Sequence, residues 1–488
     1  MLFNSLNYFL FLPLVFVLYW ATRGTTRKFI LCLASYVFYM SWMPVYGILI
    51  FAMTAFNYFA GLFIERNRKN DFLFYFVICA NLAALAYYKY TAFFIATVFD
   101  ALRQVAHFVP SLQVQQTPVV EIVLPLGISF FTFEFIHYIV DVRKGDRPLR
   151  NGLDFTLFAA FFPSQLAGPI KRFQQFSIQL DEEKALKPED TVAGLALISQ
   201  GLFKKIALAD NLAPITAQGI SNVHQLGTLD AWLMMTAFLL QIYFDFSGYT
   251  DIGTGSARLL GFHLPVNFNL PWIASKNFVD FWRRWHISLS SWLRDYVFIP
   301  LGGSRRGQFI NYRNILVTFG LSGLWHGAAW QFVIWGFIHG FLIIATHEQE
   351  KLIQKVRFLQ KIHEHRLAIP LACAGTFVVS LFAWTFFFAH SASDALTVVH
   401  SMIIPANGES NLAEKLLQSP FLVSFTMYSV YGLLFVDVPW SNWSDRTRAI
   451  RAAFEQQPAR QLACIACAFI AAIAFSPALT VPFIYFQF

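Results

Sequence analysis

A chain of 488 residues with 57% apolar and 13% charged side chains and a mean hydropathy of +0.51 is no ordinary soluble protein, since soluble domains carry about 25% charged residues. Its length accommodates about a dozen membrane crossings of about 20 apolar residues each. The net charge of +8 is no nucleic-acid footprint: the basic residues lie in short clusters between apolar stretches, as in cytoplasmic loops facing anionic lipid.

These clusters are Arg23, Arg27 and Lys28; Arg66, Arg68 and Lys69; Arg143, Lys144, Arg147 and Arg150; and Arg305, Arg306 and Arg313. The first apolar run, 8–20, has no basic leader and no small-residue cleavage site. It predicts a first span, with the N-terminus outside and the loop 23–28 in the cytoplasm. Further runs follow at 29–42, 46–64, 72–88, 93–109, 119–142, 155–166, 192–209, 232–246, 315–346, 369–389, 421–438 and 462–488. Several are too short to cross, and these predict re-entrant or interfacial segments. Such segments are admissible at membrane depth only where protein or a water-filled cavity surrounds their free backbone groups. The expectation is an all-α polytopic membrane protein, one domain over 1–488, with ten to twelve transmembrane helices plus re-entrant and interfacial ones. Residues 181–190 and 405–415 are the most polar connectors, and no fixed-period repeat interrupts the pattern.

Polar residues inside apolar runs are functional candidates by default. In LPLGISFFTFEFIHYIVD (124–141) these are Glu134 and His137; in QIYFDFSGYT (241–250) it is Asp245, with Asp251 close behind. A structural hydrogen-bond network is the favoured account of both segments, and Arg283 or Arg284 are candidate partners for Asp245. Pro163 and Pro169 in FFPSQLAGPIKRF, and Pro271 in NFNLPW, mark broken helices.

The segment DFWRRWHISLSSWLRDY (280–296) places Trp282, Trp285, His286, Leu289, Trp292, Leu293 and Tyr296 on one helical face. As an amphipathic helix it would lie in the headgroup plane with its tryptophans in the interface. His286 inside that stripe is either a satisfied core residue or a poised one, because a buried imidazole needs partners for two nitrogens. In GLSGLWHGAAW (320–330), His326 is flanked by small residues that permit close helix packing and equally leave room for a substrate. It is either a packing histidine bonded to a backbone carbonyl or a reacting group. His339 lies 13 residues further on. On a continuous helix it would point roughly 220° away from His326, so the two share a pocket only if the helix breaks, which is expected near 320–323.

Other patterns carry less. Cys464 and Cys467 form C-x-x-C within an apolar run with no second thiol pair or clustered histidine, which favours packing over redox or metal chemistry. His363 and His365 in KIHEHR read as a solvated loop, so no metal is expected. GTGSARLLG has glycines but lacks the following Lys-Ser/Thr of a phosphate-cradling loop.

The stretches VLPLGISFFTFEFIHYIVDV (123–142), FFPSQLAGPIKRF (161–173), QIYFDFSGYTDIG (241–253), NFVDFWRRWHISLSSWLRDYVFIPLGG (277–303) and SGLWHGAAWQFVIWGFIHG (322–340), with the opening FLFLPLVFVLYW and the later WTFFFAHSASDA, together resemble the membrane-bound O-acyltransferase family. The match is to its bacterial branch, which serves polysaccharide acetylation, and runs to about residue 395. The resemblance implies a crater-like helical bundle with a thin centre, pierced by a tunnel joining the two faces. His326 matches the family's active-site histidine and His286 its second signature histidine. A thioester donor, taken to be acetyl-CoA, would enter from the cytoplasm past Trp282, Arg283, Arg284, Trp285 and Trp325, with Asp245 and Glu134 as supporting polar groups. The acetyl would pass to a polysaccharide (alginate, cellulose, another exopolymer or peptidoglycan) directly or through a periplasmic acetyltransferase partner. The resemblance places the protein in a bacterial inner membrane, among lipid, with no tightly bound cofactor and no nucleic acid. A relative of the same architecture takes D-alanine from a carrier protein for teichoic acid. Two positions depart from the pattern: His390 stands where that branch usually shows Arg, and His137 replaces a small residue.

The chemistry suits these residues. A hydroxyl attacking a thioester must lose its proton as the bond forms, and imidazole, with an ordinary pKa near 6.5, is fitted to take it. His326 is the expected general base, and His286 the expected holder of the donor or of the tetrahedral oxyanion. A covalent relay, on histidine or on a partner, would show as label retained on protein. The competing class is a transporter of acylated sugars, which would also contain broken helices and intramembrane Asp, Glu and His. It would be expected to show two related halves, and none is evident. A non-catalytic scaffold is a third reading, under which replacing His326 is silent.

Overall fold

A computed structural model of the chain describes residues 1–109, 114, 116–166, 168–269, 272–408, 411–435, 458–477 and 481–486. Among them there is no strand. The protein is an all-α, multi-pass membrane protein. Among the described residues, six helical stretches are long and apolar enough to cross a bilayer: Val45–Arg66, Asp71–Phe108, Pro188–Ser221, Thr228–Leu259, Trp330–Lys355 and Ala368–Phe388. Leu6–Ala21 and Arg460–Ala474 are shorter apolar helices. The other apolar runs are cut short by turns, so they form helices of 19 residues or fewer.

The chain divides into two compact units. The first comprises Pro13–Leu166 and Ile170–Lys184, with Met1. Past α1 (Leu6–Ala21), it holds α2 (Gly24–Met40), α3 (Val45–Arg66), α4 (Asp71–Leu85), which continues through a π turn into α5 (Thr91–Phe108), α6 (Ile128–Lys144), α7 (Gly152–Ala160), α8 (Phe162–Gln165) and α9 (Phe173–Asp181). The helix break read from Pro163 and Pro169 is present: α7 ends at Ala160, one turn of α8 follows, and residues 168–172 are non-helical. Gly127, with φ +72°, starts α6 where a Cβ would stand 2.6 Å from the Gln165 carbonyl oxygen, so the broken segment lies directly against this turn. Pro271 lies outside the described residues.

The second unit comprises Leu2–Leu12, Ala167–Pro169 and Ala185–Phe488. Its centre is α12 (Thr228–Leu259), against which α10 (Pro188–Leu202) and α11 (Asp210–Ser221) pack. A Cβ on Gly201 would meet the Gly248 carbonyl oxygen at 2.5 Å, which is the close backbone approach that small residues permit in a membrane. Between α10 and α11 a π turn, Phe203–Ala209, directs two neighbouring lysines inward. Lys204 pairs with Asp251 at 2.7 Å; Lys205 pairs with Asp210 at 2.6 Å and with Asp245 at 3.0 Å. Buried charges at such depth require pairing of this kind. The remaining described helices are α13 (Phe278–Trp282), α14 (Ile287–Leu293), α15 (Gln308–His326), α16 (Trp330–Lys355), α17 (Arg357–Glu364), α18 (Ala368–Phe388), α19 (Ala392–Ile403), α20 (Leu412–Gln418), α21 (Phe421–Phe435) and α22 (Pro458–Ala474).

Candidate active site

Three elements deliver the site: the α15/α16 hairpin, the turn between α13 and α14, and a strap past α22. The helix break expected near 320–323 occurs instead at 327–329, where Gly327 (φ −152°) and Ala329 (φ −157°) are extended. Residues 320–323 stay helical because their small side chains serve the packing itself. Gly323 and Gly336 face each other with so little room that a Cβ on Gly323 would stand 2.1 Å from the Phe332 carbonyl oxygen. His326 is thus the last residue of α15 and is 5% exposed. Its ring lies 5.1 Å from Trp335, 5.3 Å from Phe387, 4.9 Å from Trp325 and 5.8 Å from Tyr485, between centroids.

The segment 280–296 is not one amphipathic helix. It breaks into α13 and α14, with His286 at the turn in a left-handed conformation (φ 45°, ψ 52°). His286 is the one non-glycine residue with positive φ among those described. Such a backbone costs about 1–3 kcal/mol and persists only where its surroundings hold it. The turn carries the tryptophans inward rather than into the headgroup plane: Trp282, Trp285 and Trp292 are 8%, 1% and 4% exposed.

His286 is fully buried, 6.4 Å from the His326 ring and 4.7 Å from Phe246. Its Nδ1 is 3.2 Å from Asn267 Oδ1, and that oxygen also accepts from the Ser288 backbone N–H and hydroxyl. The backbone donor fixes the amide orientation, since an N–H can only donate. Nδ1 therefore carries the proton, and Nε2 presents a lone pair. Nε2 has no hydrogen-bond partner among the described residues. Burial pushes this imidazole down to about 3, so it is neutral in any physiological medium.

Beside His326, Trp335 leads to a second buried imidazole. His339, fully buried, lies 4.7 Å from Trp335, 5.2 Å from Trp282 and 6.2 Å from Trp384. Because the helix breaks, His326 and His339 both contact Trp335. The indole N–H groups of Trp282, Trp335 and Trp384, and both His339 nitrogens, find no partner among the described residues. Five unmet polar atoms on touching rings are unusual in a folded protein. All five belong to rings packed directly on one another in the core, and the three indoles can only donate.

The other anticipated residues fall in varied places. Trp325 lies beside both histidines, 6.0 Å from His286 and 4.9 Å from His326. Trp285 is stacked on Phe281 and lies 5.1 Å from Trp384, within the core. Arg283 is exposed, and Arg284 pairs with Asp280 at 3.0 Å. Neither arginine partners Asp245, whose charge is met by Lys205. Glu134 belongs to the first unit, where both its oxygens accept from buried Lys171 at 2.8 and 2.7 Å, and His137 Nδ1 is 3.1 Å from the Phe133 carbonyl oxygen. Exposed His390 offers its backbone oxygen to Gln331.

Sequence reading passed over Lys205, Asn267, Trp335, Trp384, Phe387 and Tyr485. The Lys204–Lys205 pair inside an apolar run and the i,i+4 spacing of Trp335 and His339 were available signals. Tyr485 gave none: it lies in an aromatic tail that reads as the end of the run 462–488, whereas α22 stops at Ala474 and residues 481–486 come back to the site. No cluster of three or more metal-ligating side chains occurs among the described residues.

Comparison with known proteins yields consistent matches. The model of the membrane-bound O-acyltransferase family matches residues 142–390. A protein of Azotobacter vinelandii named "Probable alginate O-acetylase AlgI" is 37% identical over 87% of this chain and 83% of its own length. The peptidoglycan O-acetyltransferase of Helicobacter pylori is 34% identical over 83% of this chain and 80% of its own. The teichoic acid D-alanyltransferase of Bacillus subtilis is 34% identical over 48% of this chain and 62% of its own.

Proposed function

The chain belongs to the membrane-bound O-acyltransferase family and is an acyltransferase, and on that premise we propose that it moves acetyl from a cytoplasmic thioester, acetyl-CoA, onto a hydroxyl of an exported polysaccharide. The relatives named for alginate and peptidoglycan acetylation support the acceptor class. The reading places the protein in a bacterial inner membrane, treats 1–488 as one catalytic domain, and admits a periplasmic partner that receives the acetyl before the glycan does.

One observation carries the mechanism: two buried imidazoles 6.4 Å apart, one of them locked by Asn267 with its Nε2 lone pair unpartnered. The acceptor hydroxyl enters between the rings. His326 takes its proton as the oxygen attacks the thioester carbonyl; the C–S bond then breaks, and the thiolate recovers the proton from the imidazolium. A positioned base of this kind contributes about 10²–10⁴-fold. His286, with a pKa near 3, is too weak a base for that step and has no proton on Nε2 for an oxyanion. Its Nε2 lone pair instead accepts a hydrogen bond from a second hydroxyl of the acceptor and so aims the attacking one at the thioester. A donor for the developing oxyanion is offered by the indole N–H of Trp335, whose ring lies 5.1 Å from His326. Arg305 and Arg306 are exposed just before the first turn of α15, about 28 Å of helix from His326. That separation favours donor entry at the basic end and acceptor entry at the other.

The test is acetyl transfer from labelled acetyl-CoA to oligosaccharide by protein reconstituted in lipid vesicles. His326→Ala is expected to abolish transfer while eluting as a folded monodisperse species. Wild-type rates in that variant, or no transfer by the wild type with any glycan or partner, would overturn the reading.

A further inference from the structure

We infer that Asp245 is a positioning residue that clamps residues 481–486 over His326, and that the clamped strap keeps water away from the thioester. The inference rests on the acyl-transfer reading above.

The strap holds to the helical core largely through rings. Phe483 stacks on Tyr249 with centroids 4.2 Å apart, and Tyr485 lies 4.7 Å from Phe246, 6.2 Å from Phe387 and 5.8 Å from His326. Such contacts are broad and slide easily. The polar anchor is specific: Asp245 Oδ2 accepts the Ile484 backbone N–H at 2.7 Å. The other oxygen of the same carboxylate is held by Lys205, which also holds Asp210. All three charged residues are 3% exposed or less. One ammonium thus faces two carboxylates, and the Ile484 N–H offsets part of the surplus negative charge in a medium that tolerates little of it. The next residue on α12 completes the arrangement, because the Phe246 ring touches both His286 and Tyr485, each at 4.7 Å. A single turn of α12 therefore sets the register of the strap and one wall of the histidine pair together.

An activated thioester beside a basic imidazole is vulnerable to water, and closing a site protects such intermediates. With the strap loosened, water attacks the carbonyl in place of the acceptor hydroxyl. The C–O bond forms, the C–S bond breaks, and acetate and the free thiol leave. Partition between transfer and hydrolysis is therefore the readout, and a residue needed only for folding would lower both.

The variants are Asp245→Ala, Asp245→Asn and a truncation removing residues 482–488, singly and combined, each assayed for acetyl transfer and acetate release from labelled acetyl-CoA. Lys205 keeps Asp210 as partner in all of them, and size-exclusion elution checks folding. Asp245→Ala and the truncation are each expected to lower the transfer-to-hydrolysis ratio at least about tenfold, and the combination no further than either alone, as groups acting as one unit behave. Asp245→Asn, which retains an acceptor for the Ile484 N–H, is expected to restore part of the ratio. A neutral truncation, additive losses, or transfer and hydrolysis falling together would each refute the clamp. His326→Ala run alongside separates the two ideas: loss of transfer there, with any of those outcomes, leaves the acyltransferase reading standing and removes the clamp alone.

Discussion

Replacing Gly323 with alanine puts a methyl group where the α15/α16 hairpin has no space for one. The new Cβ would lie 2.1 Å from the Phe332 carbonyl oxygen, 2.9 Å from its carbon and 3.2 Å from the Gly336 Cα. All of these are backbone atoms, so no side chain can swing aside. Restoring ordinary contact requires the helices to part by roughly 1 Å. His326 lies three residues further along the same helix and makes its ring contact with Trp335 across this hairpin. A misplacement of about 1 Å can cost on the order of 10²-fold in rate, and overpacking typically costs about 1–3 kcal/mol in stability. Gly323→Ala is therefore expected to lower kcat by about 10²-fold and the thermal midpoint in detergent by a few degrees. Gly375→Ala, where a Cβ meets nothing within 4 Å in the middle of α18, is the control. Relieved of glycine's entropic penalty of about 0.5–1 kcal/mol, it should be neutral or slightly stabilising with full activity. The measurement is initial-rate acetyl transfer in vesicles paired with a melting curve. Wild-type kcat in Gly323→Ala would show that the hairpin spacing does not set the position of His326.

Further outcomes follow from the buried charges and imidazoles. Glu134→Gln leaves the Lys171 ammonium, 3% exposed, without its counter-ion; a cost of about 3–5 kcal/mol is expected, with Glu134→Gln/Lys171→Met costing clearly less, and a melting-point comparison decides. Burial holds His286 near 3 against an ordinary 6.5, so between those values the unfolded chain binds a proton that the folded chain refuses. Stability is then full above about pH 6.5 and falls as pH drops through that window, by at most about 1.4 kcal/mol per unit. His286→Asn, which tolerates a left-handed backbone, should flatten the slope between pH 7 and 5; parallel slopes would exclude His286 as the source.

Much of the site was legible in the residues because its chemistry is local. Imidazoles set among apolar neighbours at 286 and 326, with small residues beside the second, announce themselves without any fold. What misled was continuity. Residues 280–296 fit one amphipathic helix by periodicity, but His286 adopts a left-handed turn held by Asn267, a residue 19 positions earlier. Likewise 462–488 reads as one apolar run, yet it supplies both a helix and the strap that carries Tyr485 to His326. Periodicity reports which face is apolar and says nothing of where a helix gives way to a turn.

The amino-acid sequence by itself determined the solvent, the helical class and the family, and it singled out the two candidate histidines, since each depends on residue type and near-neighbour spacing. The tertiary structure alone decided partners. Asp245 meets Lys205 rather than Arg283 or Arg284, His339 joins His326 around Trp335, and Ile484 closes onto Asp245. A buried charge or imidazole will accept any partner that geometry brings within about 3 Å, and that choice is made by packing between distant segments, which no local pattern encodes.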